Sequence, residues 1–257
     1  MEGFSLKGVK GALLGYCLML IILVLVVAVG QSILSAVGVT PESNTFVAIS
    51  GCFSIIAIII TLVIFCTSAN TTIKGFLQEK RTNFIFYILA IVLSLSMFFG
   101  VGFLNTVVVN LLQKIGINTT SLTLNINSFA SLVVFLVVYA ILPAVFEELF
   151  FRKYMLSQMQ GVGKVLSIIL VSLAFALYHL SLAQFIYQFI YGVFLALLTS
   201  RSRSVLPATL AHFVNNASII VMQYLSIQIN LFAPVTIAIG LALLVVFVFG
   251  VLKVKND

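Results

Sequence analysis

The sequence predicts an all-α, polytopic membrane protein of about eight transmembrane helices with both termini cytoplasmic. Three observations predict this class. The 257 residues are 62% hydrophobic and 7% charged, with a mean hydropathy of +1.28; too little polar surface exists to cover a water-soluble globule. Apolar runs near 11–36, 46–68, 84–112, 129–158, 164–181, 183–200, 205–225 and 231–252 approach the roughly 20 residues that carry a helix across the hydrocarbon. They lack the alternation of a membrane β-barrel. Finally, the basic residues follow the topology these runs impose. Of 13, only Lys114 falls on the far side; Lys7, Lys10, Lys74, Lys80, Arg81, Arg152, Lys153, Lys164, Arg201, Arg203, Lys253 and Lys255 share the side of the N-terminus. The positive-inside rule makes that side the cytoplasm.

The elements follow in order. The first run comes after Lys7 and Lys10 as a signal sequence would, but its apolar core is too long and lacks a cleavage site, so it reads as a retained anchor. Cys17, Cys52 and Cys66 fall in the first two runs without ligand spacing and read as packing residues. Residues 1–124 hold three spans, 125–225 a core of four, and 226–257 the last span with a short basic tail. The far-side loops are short and nearly uncharged, so no separate soluble module is expected. The net charge of +7 is spent on topology and implies no nucleic-acid partner. Membrane lipid and a peptide or membrane-protein substrate are the expected partners. The sequence does not set the oligomeric state. The short loops point to a bacterial plasma membrane.

The chemistry concentrates between residues 143 and 216. Two of the six carboxylates stand side by side in "FEELFFR". On a helix Glu148 and Arg152 share one face, acid before base, the favourable order. Glu147 is turned about 100° away and must find another partner or take up a proton. A helix end snorkelling to water is the competing reading. The chain's only histidines, His179 in "FALYHL" and His212 in "AHFVNN", fall in expected spans, each sharing a helix face with Phe175 and Asn216 respectively. A lone intramembrane histidine is often a hydrogen-bonded packing residue. Counted at 1.5 Å per residue from the cytoplasmic turns, Glu147, His179 and His212 lie roughly 15–25 Å deep and can meet in a cavity opening toward the cytoplasm.

"EELFFR", "FALYH" and "HFVNN" fit EExxxR, FxxxH and HxxxN, and in this order they resemble the CPBP family, also called Abi: CAAX prenyl endopeptidases and bacteriocin-processing enzymes. The resemblance covers roughly residues 125–225 and lies in the combination, since each short pattern recurs by chance. Lys153 and Ala196 depart from it where many members have Gly. The resemblance implies an intramembrane endopeptidase. Glu147 would activate water with His179 as its partner, His212 and Asn216 would hold the oxyanion, and Glu148, Arg152 and Phe175 would support them.

Other schemes fit less well. Ser181 and Ser218 lie near the histidines, but no GxSxG elbow exists; the cysteines are remote, and the only Asp is Asp257. Glu147, His179 and His212 could form a zinc ligand set, yet no HExxH occurs, and Asn216 suits hydrogen bonding better than metal binding; this favours a metal-free site. A noncatalytic partner such as an immunity or scaffold protein, and a proton-coupled transporter, remain the alternative functions.

Overall fold

The computed structural model describes residues 6–69, 71–117, 119 and 124–255, without the side chains of Leu6, Lys7 and Gln160. The Lys7 charge, much of the polar loop expected after the third run, and Asp257 lie outside the described residues. Within them every regular element is helical: α1 (Leu6–Ala36), α2 (Asn44–Ser68), the short α3 (Ile73–Leu77), α4 (Ile85–Lys114, interrupted at Gly102), α5 (Phe129–Gln158), α6 (Lys164–Tyr178), α7 (Phe185–Ser202), α8 (Leu206–Tyr224) and α9 (Pro234–Lys253). Among the described residues, five helices are long and apolar enough to cross a membrane: α1 over Gly8–Ala36, α2, α4, α5 and α9. The other three apolar runs are also helices, of 15, 18 and 19 residues. They are shorter or carry the polar groups that the site needs.

The distribution of side chains is that of a lipid-facing bundle. Leu14, Val24, Ile88, Val246 and Phe249 stand on the outside, while Glu147, Glu148, Arg152, His212 and Asn215 are buried. Water would favour the reverse arrangement; hydrocarbon requires ionisable groups to turn inward toward partners.

Small residues set the helix crossings. Gly8, Gly11 and Gly15 form a stripe along α1 that lies against the end of α5: a Cβ at Gly8 would overlap the Gln158 carbonyl, and one at Gly15 the Tyr154 ring. The Tyr154 hydroxyl donates to the Gly11 carbonyl at 2.9 Å. The expected anchor is therefore packed into the bundle by its glycines. Gly100 of α4 and Gly240 of α9 meet backbone to backbone, where a Cβ at Gly240 would overlap Gly100. Close backbone approach of this kind gives van der Waals contact where no hydrophobic effect drives helices together.

Helix α5 is not regular. Two wide turns, Val137–Ile141 and Leu149–Met155, interrupt it, with i→i−5 bonds from Leu142 N–H to Val137 O and from Leu156 N–H to Phe151 O. The first has a cause in the sequence. Pro143 has no N–H to give to the carbonyl four residues earlier, so Tyr139 O loses its helical donor. Asn216 of α8 supplies one: its Nδ2 donates to Tyr139 O at 3.1 Å. Wide turns of this type recur at functional sites because they re-aim side chains.

Helix α6 ends earlier than its apolar run. The sequence places His179 inside the span, but α6 stops at Tyr178 and His179 is its half-buried cap. The imidazole Nδ1 lies 2.8 Å from Phe175 O, the carbonyl that the His179 N–H would take in a continuing helix. The side chain thus competes with its own backbone and stops the helix, and Leu180 follows with φ +48°.

The α4–α9 crossing generates a prediction. Gly240→Val overpacks it and costs about 1–3 kcal/mol. A lower thermal midpoint in detergent is the expected result; an unchanged midpoint would contradict the backbone contact.

Candidate functional site

Helices α5, α6 and α8 bring all three motifs together around one ring. Phe175, fully buried, has the Arg152 guanidinium over its face at 4.2 Å, the His179 ring at 4.8 Å and the His212 ring at 5.8 Å, all measured to ring centroids. Gly192 of α7 admits this arrangement, since a Cβ there would crowd Ser172 and Phe175. Its carbonyl also accepts a long 3.5 Å bond from Arg152 Nη2. The aromatic of FALYH is therefore the common wall of the site.

The charged groups form a chain. Glu148 Oε1 accepts from Arg152 Nη1 at 2.9 Å and from His212 Nδ1, also at 2.9 Å. An ionised carboxylate has only acceptors, so His212 must carry its proton on Nδ1, and its Nε2 is directed elsewhere. Nε2 lies 3.9 Å from Glu147 Oε2. That is beyond a direct hydrogen bond. Glu147 is 6% exposed, Glu148 0%, Arg152 2% and His212 3%, so all four are withdrawn from solvent. Glu147 Oε2 has no hydrogen-bond partner. The Tyr178 hydroxyl approaches the same carboxylate without meeting strict hydrogen-bond geometry.

The sequence expectations fare differently. The Glu148–Arg152 pair stands as its i,i+4 spacing implies. The snorkelling alternative does not hold for these groups, which are buried. Glu147 is expected to face His179, yet among the described residues its ion-pair partner is His212. His179 instead holds Phe175 O through Nδ1, which leaves its Nε2 as the ring's free nitrogen. This bond holds the ring to its own helix at the early end of α6. Asn216, expected as an oxyanion donor beside His212, has one amide hydrogen engaged on Tyr139 O, so only the other remains available.

Some residues escaped the sequence reading. Asn215 is 4% exposed and accepts from the Tyr187 hydroxyl at 2.7 Å, tying α8 to α7. It stands three residues after His212, a helical spacing that could have marked it. Glu79 receives Lys153 through a short ion pair, and its other oxygen accepts from the Ser204 hydroxyl at 2.7 Å and the Val205 N–H at 3.0 Å. The carboxylate thus caps the start of α8 and clamps the 78–81 loop to α5. In sequence it is one acid within the charged stretch "QEKR", with no signal of its partners.

A zinc-type centre would need Glu147, His179 and His212 to turn donor atoms on one point. Among the described residues no three His, Cys, Asp or Glu side chains do so. His212 and His179 hold Nδ1 on Glu148 and on Phe175 O and leave Nε2, the nitrogen that a metal-bound imidazole with such an outer partner would use.

Comparison with known proteins bears on the same segment. Residues 129–218 match the family described as type II CAAX prenyl endopeptidase Rce1-like. No curated protein and no solved structure matches the chain. The match runs from the start of α5 past Asn216 and contains the residues of all three motifs, and over this segment the chain is similar to that family, the one its EExxxR, FxxxH and HxxxN motifs resemble.

Proposed function

We propose that the chain is an intramembrane endopeptidase that hydrolyses a peptide bond of a membrane-associated peptide or protein, with residues 125–225 as its catalytic core. The observation that carries this reading is the unpartnered Oε2 of buried Glu147, 3.9 Å from His212 Nε2. A carboxylate oxygen left without a donor in a dry site is suited to taking a proton from water, and the facing imidazole to holding the oxygen that becomes negative.

The steps balance as follows. Glu147 takes one proton from a water molecule as its oxygen attacks the scissile carbonyl carbon. The tetrahedral oxyanion is held by the Nε2–H of a His212 ring that carries a proton on each nitrogen, its Nδ1–H remaining on Glu148, and by the second amide hydrogen of Asn216. Glu147 then returns the proton to the amide nitrogen, the C–N bond breaks, and an acid and an amine leave. Glu148 and Arg152 are positioning groups: they fix the His212 ring through Nδ1, as outer partners orient metal-bound or catalytic imidazoles. His179, with Nε2 free, is the second proton acceptor beside the site.

The proposed topology has eight spans with both termini cytoplasmic, in a bacterial plasma membrane. Its support is that Lys80, Arg152, Lys153, Lys164 and Arg203, from four separate segments, line one cavity. Arg201 also donates to the Val251 carbonyl at 2.9 Å and to that of Leu252, drawing the end of α9 to the same side. Arg152 is five residues beyond Glu147, so the reactive carboxylate lies about 8 Å below the basic end at 1.5 Å per residue. That placement supports a cytoplasmic opening.

Two outcomes test the assignment. Glu147→Gln keeps the side-chain volume and removes the base, so processing falls by about 10²–10⁴-fold while the protein still accumulates in membranes. Peptidomics of cells carrying either form reads both activity and substrate; unchanged cleavage by the accumulated variant would end the proposal. Asn216→Ala strips Tyr139 O of its donor and costs about 1–3 kcal/mol of stability. Adding Pro143→Ala restores a backbone N–H and so restores the thermal midpoint, while activity stays about 10²-fold down through the lost oxyanion donor. If activity returns together with stability, Asn216 serves structure alone.

A further inference from the structure

The basic end of the bundle contains a cavity of about 640 Å³ that the proposed chemistry does not use. Its walls come from the 78–80 segment, the end of α5, the start of α6 and the α7–α8 turn. Lys80, Lys164 and Arg203 line it, and none of the three makes an ion pair among the described residues. The single acid on its wall, Glu79, is spent on Lys153 and on the start of α8. Three uncompensated cations therefore face one space.

The inner wall is closed: the Arg152 side chain is 0% exposed and Thr199 8%, so the cations of the rim carry the charge that a ligand in the cavity meets. What neutralises three such cations is an oxyanion.

We propose that this cavity binds a phosphate group, from either an anionic lipid headgroup or soluble phosphate. Lys80, Lys164 and Arg203 donate to it and neutralise its charge from the rim. A carboxylate, with two oxygens and one charge, would leave most of this cationic field uncompensated; a phosphate offers more acceptors and more charge. The volume is that of a small-ligand site. Arg152 also holds Glu148, so an anion in the cavity sits one residue from the chain that orients His212.

The test uses the purified full chain in neutral detergent, probed with phosphatidylglycerol and phosphatidylcholine by native mass spectrometry and with inorganic phosphate by thermal shift. Wild type is expected to retain phosphatidylglycerol over phosphatidylcholine or to be protected by phosphate, and the two arms distinguish the source. The triple variant Lys80→Gln/Lys164→Gln/Arg203→Gln should bind at least about tenfold more weakly. Lys74→Gln/Lys253→Gln/Lys255→Gln removes the same charge away from the cavity and should bind as wild type does. Failure of wild type to bind either probe, or equal losses in the two triple variants, overturns the proposal. The cleavage assay is independent, so neither result depends on the peptidase assignment.

Discussion

Everything at the centre of this protein depends on one carboxylate oxygen. Glu148 Oε1 receives both Arg152 and His212 at 2.9 Å in a region from which solvent is withdrawn. Burying charges is costly, and mutual attraction offsets the loss only when the geometry is close and the donors are matched. Removing one partner of such a set costs about 3–5 kcal/mol, because the other charge is left behind without compensation. The interaction therefore locks α5 to α8 and holds a His212 proton on Nδ1, which orients the ring, at the same time. Stability and chemistry rest on the same atoms.

The helices around that oxygen are shaped to reach it. Pro143 widens α5 and frees a carbonyl, and Asn216 from α8 satisfies it. His179 ends α6 by holding the Phe175 carbonyl, which leaves the Phe175 ring between the two histidines and the guanidinium. Irregular backbone at membrane depth is tolerated only where protein groups replace the lost hydrogen bonds. In each of these two places a motif residue supplies the replacement, which gives Asn216 and His179 structural duties beside any catalytic one.

Apolar runs and charge sidedness make the helical membrane class legible in the sequence, because hydrocarbon permits few alternatives to an internally bonded helix. The i,i+4 spacing alone pairs Glu148 with Arg152. The partner of Glu147 was not legible. A histidine four residues after a phenylalanine can point across to another helix or fold back on its own carbonyl, and the choice depends on where α6 stops. Nor could Glu79 be traced to Lys153, Ser204 and Val205, which lie 74, 125 and 126 residues away in the chain.

The sequence by itself determined the residue types and the local geometry: which segments are helices, which side chains share a face, and which chemical groups enter the hydrocarbon. Composition and period act over a few residues and leave a direct trace. Tertiary structure decided which faces meet: that His212 stands beside Glu147, that Asn216 repairs the gap left by Pro143, and that cations from four segments surround one cavity. These contacts depend on helix ends, wide turns and crossings set by several elements at once, so no single stretch of the chain encodes them.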